Sequence, residues 1–149
     1  MKAKYKHTNI VARNWRCLAQ FYKDVFGCQL VPPERNLAGE WLSRGTGVPN
    51  ARFVGAHLRL PGTGDNGPTL EIYQYATRKP RLPTAPNREG IMHLAFEVAD
   101  VEGATAEVLR HGGCKVGEVV TAEVTGVGLL TFVYVADPEG NIIELQSWR

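Results

Sequence analysis

An internal repeat constrains the fold of this chain more than any other feature. Lys6-His7-Thr8-Asn9-Ile10-Val11-Ala12 is matched by Met92-His93-Leu94-Ala95-Phe96-Glu97-Val98, two short β-prone stretches with one histidine near the start of each. Seven residues after each histidine stands a helix N-cap type, Asn14 or Asp100, and twenty residues after it a Gly-Cys pair, Gly27-Cys28 or Gly113-Cys114. Between cap and glycine each half reads as an amphipathic helix. Trp15, Leu18, Ala19, Tyr22, Val25 and Phe26 form one apolar stripe; Val101, Ala104, Val108 and Leu109 form the other. Gly27 and the pair Gly112-Gly113 are natural helix stops.

The two halves also end alike. Leu70-Glu71-Ile72-Tyr73 parallels Ile143-Glu144-Leu145-Gln146, and each follows an apolar strand and a turn. The turns are Pro61 to Gly67 in the first half and Asp137-Pro138-Glu139-Gly140 in the second, so each half closes on a hairpin. The order is strand, helix and about three strands, twice over: an α+β chain of two βαβββ modules. Module 1 covers about 5–77, a linker with Pro80, Pro83 and Pro86 covers about 78–89, and module 2 covers about 90–148, all within one domain of residues 1–149.

Composition narrows the function classes. A chain of 149 residues can bury a core without disulfides, and its net charge of +2 leaves no electrostatic footprint for nucleic acid. Cys17, Cys28 and Cys114 form no disulfide framework and read as core packing. No stretch is long enough to span a bilayer and the start lacks the apolar core of a signal peptide, so the expectation is a soluble, cytoplasmic protein. His7, His57, His93 and His111 are few enough to follow singly, and His111, at a helix end, favours the dipole.

Side chains alternate across a strand. Thr8, Ile10 and Ala12 share one face of the first strand, leaving His7, Asn9 and Val11 on the other; Leu94, Phe96 and Val98 leave His93, Ala95 and Glu97. Leu70, Ile72, Ile143 and Leu145 have the period that packs under a helix, which turns Glu71 and Glu144 away from it. His7, Glu71, His93 and Glu144 thus all point away from the helix layer, and a duplicated sheet could gather them in one concave site. Two imidazoles and two carboxylates suit a transition metal such as Zn, Ni, Co, Mn or Fe. Four protein ligands leave two positions of a six-coordinate ion for two neighbouring substrate oxygens. His57 and Arg59 line the same face if Val54, Ala56, Leu58 and Leu60 pack under the helix; the alternative is a solvated strand end. Asn9, Glu97 and Tyr73 join them as candidates for substrate contact.

From Tyr5 to Trp148 the chain resembles the vicinal oxygen chelate superfamily, which includes glyoxalase I, methylmalonyl-CoA epimerase, extradiol dioxygenases and bleomycin-resistance proteins. The most specific segment is Tyr134 to Leu145, similar to the family's Asp-Pro-x-Gly-Asn-x-x-Glu-Leu ending; Gly90 to Phe96 and Ala19 to Gly27 also resemble family segments. The resemblance implies an open, cup-like mixed sheet with helices on its outer face, a homodimer, and a small-molecule substrate. It also implies a divalent metal on His7, Glu71, His93 and Glu144, with Glu144 as the proton-shuttling base. The four-ligand set is that of glyoxalase I, pointing to a lyase or isomerase. An acyl-CoA epimerase, a non-catalytic resistance protein and an Fe(II) dioxygenase are the alternatives. The chain departs from glyoxalase I at Tyr73-Gln74-Tyr75-Ala76, in place of an aromatic-Asn-Trp stretch, and across Trp41 to Gly55.

Overall fold

A computed structural model describes residues 1–149, which divide into two compact units, Met1–Arg81 and Leu82–Arg149. The division falls within the proline-bearing stretch assigned to the linker, and residues 76–92 carry no helix or strand. The class is α+β, with three helices and two mixed sheets, neither of them a closed barrel. No helix is long and apolar enough to cross a membrane.

The first unit runs β1 (His7–Val11), α1 (Trp15–Phe26), β2 (Gln29–Ala38), α2 (Glu40–Thr46), β3 (Arg52–Arg59) and β4 (Thr69–Tyr75). Its strands are ordered β1-β4-β3-β2, with β1 parallel to β4 and the other pairs antiparallel. The second unit runs β5 (His93–Glu97), α3 (Val101–Arg110), β6 (Cys114–Lys115), β7 (Val120–Val124), β8 (Gly128–Ala136) and β9 (Ile142–Trp148). Here β5 is parallel to β9, β9 pairs with β8, and β6 and β7 both pair with β8. The expected strand–helix–strands order is therefore present twice, and each unit closes its own sheet.

Helix α1 packs on β3 and β4, and α3 packs on β8 and β9. Both predicted caps form. Asn14 accepts from the Cys17 amide at 3.2 Å, and Asp100 accepts from the Gly103 amide at 3.0 Å, each worth about 1 kcal/mol of helix stability. Ala12, Leu18, Tyr22, Leu58, Leu70 and Ile72 are buried in the first unit; Val108, Val133, Val135, Ile143 and Leu145 are buried in the second.

Several sequence expectations need correction. Phe21, outside the proposed stripe, is buried; Leu109, inside the proposed stripe of α3, is exposed, and Thr105 takes its place by bonding back to the Val101 carbonyl at 2.7 Å. The match of Gly27-Cys28 to Gly113-Cys114 slips by one residue. Gly27 ends α1 in the left-handed region at φ 68°, whereas in the second unit Gly112 does so at φ 86°. Gly113 is required by crowding, since a Cβ there would stand 2.5 Å from both the Ala136 carbonyl oxygen and a Val108 methyl. Its amide donates to the Val108 carbonyl at 2.9 Å, closing the helix end. Helix α3 is two residues shorter than α1, so equal offsets in sequence become unequal positions in space. Cys28 is consequently buried, whereas Cys17 and Cys114 are exposed rather than packed in a core. His111 does cap α3, with Nδ1 at 2.9 Å from the Glu107 carbonyl.

Helix α2 has no counterpart in the sequence reading. It has no side-chain cap and contains Gly45, and it is held by tertiary packing, with Leu42 in a cluster with Ala51, Phe53 and Tyr73.

Burial pushes the Cys28 thiol up to about 11. A thiol-titrating disulfide reagent at pH 8 should therefore react rapidly with two thiols of the folded chain and with the third only after denaturation. Rapid reaction of all three would contradict the packing around Cys28.

Candidate metal centre

The register of each sheet decides what faces what. In the parallel pair β1–β4, Asn9 lies opposite Glu71; in β5–β9, Ala95 lies opposite Glu144. Each glutamate thus stands across from the residue two past its histidine, on the face turned away from the helix. The second neighbour follows from the hairpins: Glu71 lies opposite His57, and Glu144 opposite Tyr134.

In the first unit His7 Nδ1 is 3.2 Å from Glu71 Oε1, His57 Nε2 is 3.1 Å from the same oxygen, and Asn9 donates to Oε2 at 3.4 Å. Glu71 is 8% exposed, so these contacts replace nearly all of its hydration. His57 also lies 2.7 Å from the Tyr73 hydroxyl. Desolvation holds the His57 imidazole below its ordinary range, against the pull of Glu71 and with the help of Arg35 and His7. Burial, then the Glu71 charge, pushes the Tyr73 phenol up to about 12. His57 Nε2 thus stands within hydrogen-bond reach of both the Glu71 carboxylate and the Tyr73 hydroxyl.

In the second unit His93 Nε2 is 2.9 Å from Glu144 Oε2. The Tyr134 ring lies 5.2 Å from the His93 ring, and burial, followed by the Glu144 charge, raises its phenol pKa. His93 Nδ1 is buried without a hydrogen-bond partner.

The segment from Asp137 to Asn141 sets this register. Asp137, 2% exposed, accepts from the Glu139 and Asn141 amides, each at 2.9 Å, and from Asn141 Nδ2 at 2.6 Å. Gly140 adopts φ 85° and donates to the Asp137 carbonyl at 2.8 Å. The Asp-Pro-Glu-Gly-Asn run is thus a tight turn that starts β9 so that Glu144 falls opposite Tyr134.

The structure therefore brings His7 together with Glu71 and Asn9, and His93 together with Glu144. His57 is not a solvated strand end; it stands beside Glu71 and Tyr73. The β3–β4 connection spans nine residues (60–68) against five (137–141) in the second hairpin, which hides the equivalence of His57 to Tyr134 in the sequence. Arg59 is drawn to the connection instead, pairing with Asp65 at 3.0 Å. Glu97 is exposed on β5.

The donor types in each pair, an imidazole nitrogen and a carboxylate, would suit a divalent cation. No group of three or more His, Cys, Asp and Glu side chains converges on one point. In the first unit both imidazoles meet Glu71 through a single oxygen, a hydrogen-bonded rather than a converged arrangement.

A family model described as glyoxalase/bleomycin resistance protein/dioxygenase superfamily matches residues 4–145. The chain belongs to that superfamily. Solved structures agree in fold. A glyoxalase family protein from Bacillus cereus is 22% identical with a TM-score of 0.74, over 99% of this chain and 94% of that one. A glyoxalase family protein from Enterococcus faecalis is 24% identical with a TM-score of 0.62, over 96% of each chain. A glyoxalase/bleomycin resistance protein/dioxygenase family enzyme from Burkholderia phytofirmans is 15% identical with a TM-score of 0.58, over 99% and 100%. No curated protein matches the chain. The superfamily commonly binds divalent metals and includes both enzymes and non-enzymatic members.

Gly55 permits the Tyr73 position. A Cβ there would stand 2.1 Å from the Ile72 carbonyl oxygen and 2.4 Å from the Tyr73 ring. Gly55→Ala should cost roughly 1–3 kcal/mol in chemical denaturation and displace the Tyr73 hydroxyl from His57. A neutral substitution would show that the ring is not held there.

Proposed function

We propose that this superfamily member is a divalent-metal-dependent lyase or isomerase of the glyoxalase type, acting on a small substrate with two vicinal oxygens. The observation that carries the reading is the repeated His–Glu pair: the same register in both sheets sets an imidazole nitrogen 3.2 Å and 2.9 Å from a carboxylate oxygen. The proposed ligands are His7, Glu71, His93 and Glu144. Their two nitrogen and two oxygen donors suit Zn, Ni, Co, Mn or Fe. A cation held there would stabilise negative charge developing on the two substrate oxygens.

The chain's own residues supply the proton chemistry. Glu144 is the base that takes a proton from the carbon alpha to a carbonyl and returns it to the neighbouring carbon. His93 steadies that carboxylate at 2.9 Å. Tyr134, opposite Glu144 and raised in pKa, stays a neutral phenol at pH 7, so no second negative charge competes with the carboxylate. In the first unit His57 and Asn9 orient Glu71 from two sides. The reading carries with it a soluble, cytoplasmic homodimer.

Metal analysis of the purified protein tests the site. About one ion per chain is expected, lost in His7→Ala, Glu71→Ala, His93→Ala and Glu144→Ala. Full metal in the last two variants would refute it. The reaction is tested with a panel of hemithioacetals and acyl-CoA esters in deuterated solvent. Glu144→Gln should lower proton exchange by roughly 10²–10⁴-fold. Undiminished exchange would remove Glu144 as base, and oxygen uptake coupled to turnover would replace the lyase/isomerase class by an oxygenase.

A further inference from the structure

In the second unit the face that carries His93 and Glu144 is left open by the unit's own elements. Its single helix, α3, lies on the reverse face over Val133, Ile143 and Leu145, which are fully buried. By strand alternation Glu144, Gln146 and Trp148 of β9 share the site face, and across β8 they meet Tyr134, Phe132 and Leu130 in turn. All six keep part of their surface exposed, and the His93 and Glu144 side chains retain 24% and 14%. Ring contacts make this face continuous with the candidate centre: Tyr134 lies 5.2 Å from the His93 ring, and Phe132 lies 5.7 Å from Tyr134. Strand β5 adds Glu97 opposite Gln146, and β7 adds Val120 opposite Phe132, both exposed. No lysine or arginine stands in these rows.

Gln146 carries the polar group of this face. The Trp148 indole nitrogen lies 3.1 Å from its side-chain oxygen. An indole N–H only donates, so the amide atom facing it is the carbonyl oxygen, and the orientation of the amide follows. The NH2 end, with two hydrogens, has no acceptor in the protein. Gln146 stands two residues of extended strand from Glu144, a separation of about 7 Å. A neutral N–H donor matches a carbonyl oxygen, and Phe132 and Leu130 match an apolar body beside it. An anionic group would meet Glu97 and Glu144 with no cation to offset them. We propose that Gln146 is a specificity-determining residue, which donates to a carbonyl oxygen of a neutral substrate whose apolar body lies on Phe132 and Leu130. The assignment rests on the function proposed above only for the identity of the ligand as substrate. It narrows the substrate class to a neutral aryl compound with a carbonyl oxygen, rather than one carried on an anionic tail.

The test uses the full-length, nitrogen-15-labelled protein, stripped of metal with EDTA and titrated with phenylacetamide while proton–nitrogen NMR spectra are recorded. Saturable shifts are expected at the Gln146 side-chain NH2 and the Trp148 indole N–H. Phenylacetate, the same body with a negative charge, should bind roughly tenfold more weakly. Gln146→Glu keeps an oxygen for the indole and removes the donor. It should weaken phenylacetamide roughly fivefold or more, leave toluene within about twofold, and leave the indole resonance in place. Phe132→Ala should weaken phenylacetamide and toluene alike. Absence of saturable binding, phenylacetate bound as tightly as the amide, or an unchanged amide affinity in Gln146→Glu overturns the proposal. So does an unchanged toluene affinity in Phe132→Ala, which places the apolar body elsewhere. A loss in Gln146→Glu that falls equally on toluene also overturns it, because that is the mark of a structural role for the Trp148 bond. Shifts of the same resonances on dilution of the ligand-free protein do so too, because a second copy of the chain then covers the face. Metal content of the same proteins separates the two readings. A Gln146 effect in a chain that takes up no metal leaves this subsite standing without the metal centre, and a metal-binding chain with no response at Gln146 does the reverse.

Discussion

The site depends on one backbone constraint, the parallel pairing of the first strand of each unit with its last. Parallel strands lock every side chain to one partner and one face, and a slip of a single residue would turn the histidine or the glutamate toward the helix. In both units the pairing sets the glutamate opposite the residue two past the histidine. Chain geometry therefore brings each imidazole to its carboxylate. Ile72 and Leu70 under α1, and Ile143 and Leu145 under α3, hold the register because they are buried on the reverse face. The burial that stabilises each sheet also aims its acid.

The same lattice explains why two copies of one module differ in chemistry. At the position across the hairpin from the glutamate stands His57 in one unit and Tyr134 in the other; one row further, Gly55 is matched by Phe132. The glycine lets the Tyr73 ring settle across β3, whereas Phe132 stacks edge-on against Tyr134 at 5.7 Å. The first unit thus surrounds its glutamate with two imidazoles and an amide, and the second with one imidazole and a phenol ring. The repeat supplies the shared His–Glu pair, and the differing residues at register-equivalent positions supply the rest.

Much of this was legible in the sequence because it follows from short-range rules. The caps Asn14 and Asp100, the alternation along β1 and β5, and the Asp137-Pro138-Glu139-Gly140 turn all act within a few residues. What was not legible needed a long-range register or a tertiary contact. The place of His57 beside Glu71 depends on the length of the connection from 60 to 68. The existence of α2 depends on Leu42 finding Phe53 and Tyr73. The one-residue slip between Gly27 and Gly113 depends on the crowding of Gly113 against Val108 and Ala136, which no offset count reveals.

The central proposal is that His7, Glu71, His93 and Glu144 are metal ligands. The X-ray absorption spectrum of the metal-loaded protein tests it most directly. The account predicts a first shell of nitrogen and oxygen only, with the multiple-scattering signature of two imidazoles. A sulfur scatterer, or a spectrum with no imidazole contribution, would contradict it.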